Sequence, residues 1–271
     1  RRAQWQVALA ERRAELARQR LTVARQLEAD TRRTARAGEI SEADHQLARA
    51  EALSIAADLR DEELALEEAR QAFRTLTGMA PPKAAPEPEI GEPPLEQHPS
   101  LLAARLGVRS AQAQRQLVDL TTRDSPEVGL MARRERDSRE ERYDTVFGVS
   151  VRIPFAVEAV NAPKRAEALS EVVRSEAEQA NATRTVESDI RQARLAHQAA
   201  SERLSIARDR AAALRARLSN IERARRAGEI SLVEYVRAQE AAFEADLARA
   251  TAEVQLGAAR ARMNQSLGVL P

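Results

Sequence analysis

The side chains that could perform chemistry are distributed along this sequence in a pattern that does not favour catalysis. The 42 acidic residues alternate with 43 basic ones, as on a solvated helix face. The histidines His45, His98 and His197 are far apart, and there is no cysteine, so no zinc spacing or thiol nucleophile is present. Phosphate-binding glycine loops and nucleophile elbows are also missing. We therefore expect no enzyme, no cofactor and no metal site, and His197 is expected to pack in a helix core.

A hexapeptide that occurs twice is the most informative motif. Arg-Ala-Gly-Glu-Ile-Ser occupies residues 36–41 and again 226–231, 190 positions later. The match continues at the same offset through Leu66 and Leu256 to Gly78 and Gly268. The chain is therefore predicted to contain two tandem repeats.

The residue types of the hexapeptide predict a tight turn between two helices. Each glycine stands where a helix ends with positive φ. Each serine is the N-cap of the next helix, and an acidic residue three positions later completes a capping box. The isoleucine precedes the cap, where it can pack against His45 or Tyr235. The residues concerned are Gly38, Ile40, Ser41 and Asp44 in the first copy, and Gly228, Ile230, Ser231 and Glu234 in the second.

The turn does not require the arginine and the glutamate of the motif. Arg36 and Glu39 are nevertheless repeated as Arg226 and Glu229. An external partner shared by both copies would explain this identity, and we expect these four residues to contact it.

The elements that must position these motifs are long helices. Only 3% of the residues are aromatic and 31% are charged, which is typical of helices packed through alanine and leucine. Helices are predicted over residues 1–36 and 42–77, and again over 164–226 and 232–267, each pair joined by one hexapeptide. The third of these helices has a coiled-coil seam, formed by Val186, Ile190, Ala193, His197, Ala200, Leu204, Ala207, Ala211, Leu214, Leu218 and Ile221.

Residues 79–99 are rich in proline and predict an extended linker. A shorter helix follows over 100–122, with Leu101, Ala104, Val108, Ala111 and Val118 on one side. The predicted domains are therefore a first-repeat helical hairpin at 1–78, the linker, and a second repeat at 100–271.

Between the repeats' helices the apolar period changes from 3.6 to 2, which predicts a β-hairpin over 126–155. Val128, Leu130 and Ala132 alternate with Glu127, Gly129, Met131 and Arg133. The apolar residues from Phe147 to Phe155 alternate in the same way, and the other face of this second strand is polar or small. Strands of about ten residues with one apolar face are typical of membrane barrels. The alternative is a soluble β-arm with one buried face. Because an isolated hairpin is marginal in water, it must pair with other strands, and the charged loop from Glu135 to Asp144 is expected in water.

The near balance of charges disfavours nucleic-acid binding. No segment has the length and apolarity of a transmembrane helix, and the first residues already have a helical pattern. Any targeting sequence is therefore expected upstream of Arg1.

With its two hexapeptide turns, long helical pairs and amphipathic strands, the chain resembles the TolC-like outer membrane efflux proteins. The resemblance implies a mainly α fold of long antiparallel coiled-coil hairpins in two tandem repeats, with a β-hairpin that contributes to a trimeric outer membrane β-barrel. It further implies a passive exit duct, with its helical part in the periplasm. The implied partners are two further copies in a homotrimer, a periplasmic adaptor protein, an inner membrane pump and outer membrane lipid.

In the family the hairpin tips carry a Gly-x-x-Ser/Thr-x-x-acid pattern that meets the adaptor, which falls here on both hexapeptide turns. The family also narrows its tunnel with acidic residues after the second glycine. Glu234 matches the first of these, whereas Arg237 occupies the next and departs from the pattern. Arg1 corresponds to Arg191 by the repeat offset, so the chain resembles the C-terminal two thirds of a protomer.

The stretch from Val149 to Phe155, followed by residues 161–163, resembles the branch that serves heavy-metal cation efflux. Two other classes remain open from the residues alone. One is a soluble coiled-coil scaffold. The other is the adaptor itself, which has one helical hairpin flanked by lipoyl-like halves, whereas this sequence predicts two helical hairpins and a β-hairpin.

Overall fold

The computed structural model describes residues 1–82, 85–88, 90–91, 93–121, 123, 125–135, 144–155 and 158–269. It confirms the predicted mainly helical fold with one small antiparallel sheet. The described elements are α1 (Arg2–Arg36), α2 (Glu42–Thr77), a short 3₁₀ turn (Leu95–Gln97), α3 (Pro99–Leu120), β1 (Glu127–Glu135), β2 (Asp144–Arg152), α4 (Glu158–Arg226) and α5 (Leu232–Ser266). The chain divides into two compact units, Arg1–Glu92 with Ser188–Pro271, and Pro93–Glu187.

Helices α1 and α2 form an antiparallel hairpin whose core consists of alternating leucines and alanines. Leu21, Ile55 and Leu59 pack together in one cluster, and Leu66 and Phe73 pack in another. Arginine and glutamate pairs flank this seam on both sides, as in Arg20 with Glu51 and Arg70 with Glu11, each at 3.1 Å. Because such partly exposed pairs contribute little free energy, the buried apolar seam is the main stabilising contact of this hairpin.

The seam predicted in α4 is confirmed, because every one of its members is buried or half-buried. Its partner α5 buries mostly alanines, including Ala238, Ala242 and Ala245. Arg215 of α4 pairs with Asp246 of α5 at 2.6 Å. The buried side chains of α5 are smaller on the whole than those of α2.

The predicted start of the third helix at residue 164 is wrong, because α4 begins at Glu158 and contains Pro163. Proline has no backbone N–H group. Pro163, near the start of α4, therefore costs the helix a single intrahelical hydrogen bond. The shorter helix also differs slightly from its prediction. It begins with Pro99 at its first turn and ends at Leu120 rather than residue 122.

The two hairpins contact each other within the first compact unit through α1 and α5. The Trp5 ring lies so close to Gly257 that a Cβ atom there would sit 2.2 Å from it. The Arg20 guanidinium stacks over the Phe243 ring at 4.8 Å. Toward the hexapeptides, Leu27 and Ala48 share a buried cluster with Ile221, Tyr235 and Ala238.

Part of the proline-rich segment is held against the ends of α1 and α5. The Glu87 carboxylate accepts a hydrogen bond from Arg1 Nε at 2.8 Å and another from Asn264 Nδ2 at 3.0 Å. Asn264 is fully buried and also donates to the carbonyl of Pro88 at 3.1 Å. These bonds fix the segment around Glu87 in an extended path over the helix ends.

In the second compact unit, β1 and β2 form an antiparallel pair. Its register places the large apolar side chains on one face, with the exception of Met131 and Val146. Val128 lies opposite Val151, Leu130 opposite Val149, and Ala132 opposite Phe147. The other face carries Gly129, Ser150 and Gly148, the Glu127–Arg152 ion pair, Met131 and Val146. The predicted charged loop falls largely on residues 136–143, outside the described part of the chain.

The predicted apolar side of α3 is also found, since Leu101, Val108 and Ala111 are buried. Within the described part of the chain, no helix combines the length and the apolar character needed to cross a membrane.

Candidate functional site at the two hairpin tips

The two hexapeptides form the same backbone turn at the ends of the two helical hairpins. Gly38 has φ 78° and Gly228 has φ 77°, the left-handed conformation that glycine adopts without strain. The Glu39 N–H donates to the Thr34 carbonyl, and the Glu229 N–H donates to the Ala224 carbonyl, each at 3.0 Å. Together with the bonds from the glycine N–H groups, this pattern is a Schellman motif, and it satisfies the last carbonyls of α1 and α4.

The serines cap the helices that follow. Ser41 Oγ accepts from the Asp44 N–H at 3.1 Å, and Ser231 Oγ accepts from the Glu234 N–H at 3.2 Å. The expected reciprocal bond from the acidic side chain to the serine N–H is replaced at the first tip, where the Ser41 hydroxyl donates to the Asp44 carboxylate at 2.8 Å. At the second tip, no hydrogen bond among the described residues joins the Glu234 carboxylate to Ser231, whose Oγ accepts only from the Glu234 N–H.

The structure places both tips at the same end of one compact unit. The cluster that joins the hairpins contains Tyr235 just after the second turn and Ile221 just before it, and Leu27 and Ala48 on either side of the first. Ile230 packs against this cluster. Ile40 is half-buried and His45 is buried at the matching positions of the first tip. Ile230 thus anchors the second turn to the helices beneath it.

The arginine and glutamate that the turn does not need point into solvent at both tips. Arg36, Glu39, Arg226 and Glu229 are all exposed. Their surroundings differ, because Arg226 forms an ion pair with Glu222 one turn earlier, whereas the residue one turn before Arg36 is Arg32. The first tip is therefore more basic than the second, although the hexapeptides are identical.

Beneath the second tip lies an aromatic contact that the sequence analysis missed. The Arg225 guanidinium stacks over the Tyr235 ring at 4.5 Å, and Gln239 Nε2 donates to the Tyr235 hydroxyl at 2.9 Å. Burial, with a smaller contribution from Glu222, raises the pKa of the Tyr235 phenol above its ordinary value. The signal in the sequence was tyrosine at a position that holds His45 in the first repeat.

The two residues predicted to narrow a tunnel lie on successive turns of one helix. Glu234 and Arg237 belong to the start of α5, and both are exposed. Among the residues that the structure describes, no group of three His, Cys, Asp or Glu side chains could hold a metal ion. His197 is half-buried in the α4 seam, and among the described residues its Nε2 has no hydrogen-bond partner.

Two tandem helical hairpins with the same backbone turn at their tips, together with an amphipathic β-hairpin, define a repeat protein built mainly from helical hairpins. A family model described as outer membrane efflux protein matches residues 94–269, well over half of the sequence. The chain belongs to this family of outer membrane efflux proteins.

A sequence relative supports this family membership. The chain is 32% identical over 145 residues to the cobalt-zinc-cadmium resistance protein CzcC of Cupriavidus metallidurans. That alignment covers 49% of this chain and 34% of CzcC, so the match spans about a third of the relative's length.

Solved structures share the fold at low identity. A membrane protein from Pseudomonas aeruginosa superposes with a TM-score of 0.72 at 18% identity, over 98% of this chain and 64% of that one. The outer membrane protein VceC from Vibrio cholerae gives a TM-score of 0.70 at 16% identity, over 99% of this chain and 68% of that one.

Proposed function

We propose that this chain is part of a passive exit duct in the bacterial outer membrane, the last component of a tripartite efflux system. The observation that supports this function is the pair of capped tips, which present the same exposed arginine and glutamate from two repeat-related helical hairpins. A periplasmic adaptor protein with repeated binding surfaces would engage both tips, and an inner membrane pump would supply the energy.

The cargo that we propose for the duct is a heavy-metal cation. The similarity to a cobalt-zinc-cadmium resistance protein suggests divalent ions of this kind. In our proposal the duct binds them only weakly and leaves their selection to the pump, because a conduit must release each ion that enters it. The carboxylate of Glu234 and the guanidinium of Arg237 would set the charge of the narrowest point of the tunnel.

The β-hairpin would join strands of other copies in the outer membrane. Its apolar face, with Leu130, Phe147 and Val149 all exposed in the isolated chain, suits contact with lipid, while glycine and serine on the other face suit a water-filled interior. The helical hairpins would then extend into the periplasm, with their tips toward the adaptor.

Opening would occur by separation of the hairpins at the tip end. The contacts that hold α5 against α1 include the Trp5 ring at Gly257, the Arg20 guanidinium over Phe243, and the cluster around Leu27. Adaptor binding to the exposed side chains would favour a state in which these contacts are rearranged.

The test of this function is a proline at the second tip. Gly228→Pro cannot adopt a positive φ and removes the N–H that donates to the Arg225 carbonyl, so it distorts the turn at a cost of roughly 3 kcal/mol or more. In cells that depend on this protein for metal export, we expect the variant to reach the outer membrane but to lose export, measured as metal retained in the cells.

The matched control is Gly107→Ala, which fills open space in the middle of α3 at a residue without positive φ. It should export metal as the unmodified protein does. Full export by Gly228→Pro would exclude a role for the tip turn, and normal metal tolerance in cells that lack the protein altogether would exclude the export function itself.

A further inference from the structure

The strap, residues 85–88 of the proline-rich segment, lies at the end of the α1–α5 contact that is farthest from the two tips. Helices α1 and α5 run in opposite directions, because Trp5 near the start of α1 packs on Gly257 near the end of α5. At the other end of the contact, Leu27 shares a buried cluster with Tyr235. We call the end of the contact at Trp5 its base.

Three side chains, which we call the clasp, fasten the strap to both helices at the base. They are Arg1, the N-cap residue of α1, Glu87 of the strap and Asn264 of α5. The Glu87 carboxylate accepts from Arg1 Nε at 2.8 Å and from Asn264 Nδ2 at 3.0 Å. Arg1 Nη1 also donates to the carbonyl of Val269 at 3.0 Å, and Asn264 donates to that of Pro88 at 3.1 Å. One connected network thus joins the strap, the start of α1 and the end of α5.

The clasp is largely withdrawn from water. Asn264 is fully buried, and the side chains of Arg1 and Glu87 are only 12% and 25% exposed. At the 190-residue offset, Asn264 corresponds to Arg74 of α2, which is exposed. Because a buried polar group that loses its partner remains desolvated, each member of the clasp favours the docked position of the others.

The two ends of the α1–α5 contact are held by different kinds of interaction. At the tip end, Leu27, Ile221 and Ala238 form an apolar cluster. Apolar contact is not directional, so side chains in such a cluster can slide past one another while they stay buried. The hydrogen bonds of the clasp require particular distances and angles, and a similar movement would leave buried donors and acceptors unpaired. The contact can therefore yield at the tips more readily than at the base.

The strap itself is stiff. Pro86 and Pro88 flank Glu87 and fix their own φ angles, so the strap loses little conformational freedom when it docks. Pro86 also lines the same cleft as Trp5 and Gly257. The strap thus lies beside the closest approach of α1 and α5.

We propose that the clasp makes the base a hinge, at which Glu87 and Asn264 keep α1 and α5 joined while the tip ends separate. Glu87 and Asn264 are positioning residues in this device and do not contact cargo. The inference rests on the proposed opening at the tips. It adds that the proline-rich segment between the repeats determines where the separation stops.

A spin label on the strap tests the clasp directly. This sequence has no cysteine, so Ala85→Cys, at an exposed strap residue, adds a labelling site in full-length protein purified from outer membranes and free of other reactive thiols. The label should give the broad spectrum of a docked segment. Asn264→Asp places a carboxylate against Glu87 and should shift the spectrum to the narrow lines of a mobile one.

A second substitution separates the clasp from general damage to the fold. Adding Glu87→Gln to Asn264→Asp returns an amide donor opposite a carboxylate, and the broad spectrum should be recovered. The matched control is Gln265→Glu, which adds the same charge at the neighbouring exposed residue and should leave the label immobile. A double variant as mobile as Asn264→Asp, or a label immobile in every variant, overturns the clasp.

Distances between pairs of spin labels test the hinge. One pair, Arg2→Cys with Arg262→Cys, reports the base, and the other, Arg33→Cys with Arg223→Cys, reports the tips. All four residues are exposed, and the labelled chain is diluted with unlabelled copies so that distances within one chain are measured.

Leu27→Ala removes apolar contact at the tip end and should lengthen the distance between the tip labels while the base distance is unchanged. Asn264→Asp should lengthen and broaden the base distance. If Leu27→Ala lengthens both distances equally, or if Asn264→Asp leaves the base distance unchanged, the base is not a hinge.

The outcomes also separate the hinge from the exit duct. If metal tolerance does not depend on this protein while the labels behave as expected, the duct is overturned and the hinge remains. If metal export depends on the protein but the strap label is immobile in Asn264→Asp, the hinge alone is overturned.

Discussion

The two helical hairpins have repeat-related sequences and share a six-residue turn, yet they differ in the residues that surround that turn. The first tip has His45 beneath it and Arg32 beside Arg36, whereas the second has Tyr235 under Arg225 and Glu222 paired with Arg226. Below the tips, α1 and α2 pack through leucine, isoleucine and phenylalanine, while α5 buries mainly alanine and glycine. The comparison teaches that a short motif determines backbone geometry, while its neighbours determine the charge of the tip and the side chains packed beneath it.

The largest expected difference between the hairpins lies at Gly257 and its repeat equivalent Glu67. Gly257→Leu would place a side chain into the Trp5 ring and should cost about 1–3 kcal/mol. Glu67→Leu changes an exposed position and should leave stability nearly unchanged. Thermal unfolding of both variants checks this, and the fluorescence of Trp5, the single tryptophan, should change only for Gly257→Leu. Equal melting temperatures would mean that α1 and α5 are not in close contact.

A smaller and equal effect is expected at the two caps. Ser41→Ala and Ser231→Ala each remove the oxygen that accepts from the third residue of the following helix, so each should destabilise its tip by about 1 kcal/mol. Ser219→Ala, at an exposed site inside α4, is the control and should be neutral. Hydrogen exchange of the first amides of α2 and α5 measures the effect. Strongly unequal losses would contradict the shared turn.

The tips should differ in their response to high pH because only the second has a buried tyrosine. The raised pKa of Tyr235 means that the folded protein keeps the phenol proton where the unfolded chain releases it. The stabilisation is complete below the ordinary pKa of about 10 and is lost as the pH rises through the folded-state value. Denaturant midpoints should therefore fall more steeply above pH 10 in the unmodified protein than in Tyr235→Phe. Parallel curves would exclude this contribution.

The smallest expected effect concerns the charges at the tips. Arg226→Glu breaks the pair with Glu222 and creates a like-charge pair one turn apart, whereas Arg36→Glu places an acid next to Arg32. The melting temperature should fall by roughly a degree for Arg226→Glu and should not fall for Arg36→Glu.

Both reversals should weaken adaptor binding, measured by the adaptor recovered with the purified outer membrane protein. Unchanged adaptor recovery in both variants would remove the arginines from the proposed docking surface. A loss confined to one variant would show that the two tips are not used equally.

Much of the fold could be predicted because its signals are local. The helix seam of α4, the left-handed glycines and the serine caps follow from periodicity and backbone hydrogen bonding over a few residues. The predicted start of α4 at residue 164 is wrong because the helix continues through Pro163, and a proline near a helix start removes only one intrahelical hydrogen bond. The stacking of Arg225 on Tyr235 was missed because nothing in the hexapeptide specifies the residues that pack below it.

The sequence by itself determined the two repeats, the helical hairpins, the turn geometry and the alternation of the strands, since each depends on neighbours along the chain. The tertiary structure decided which surfaces meet: that both tips lie at one end of a compact unit, that α5 receives Trp5 at Gly257, and that Phe147 and Leu130 share a face. These outcomes depend on packing between residues distant in sequence. Periodicity shows that a helix or strand has an apolar face, and only three-dimensional contacts show what covers it.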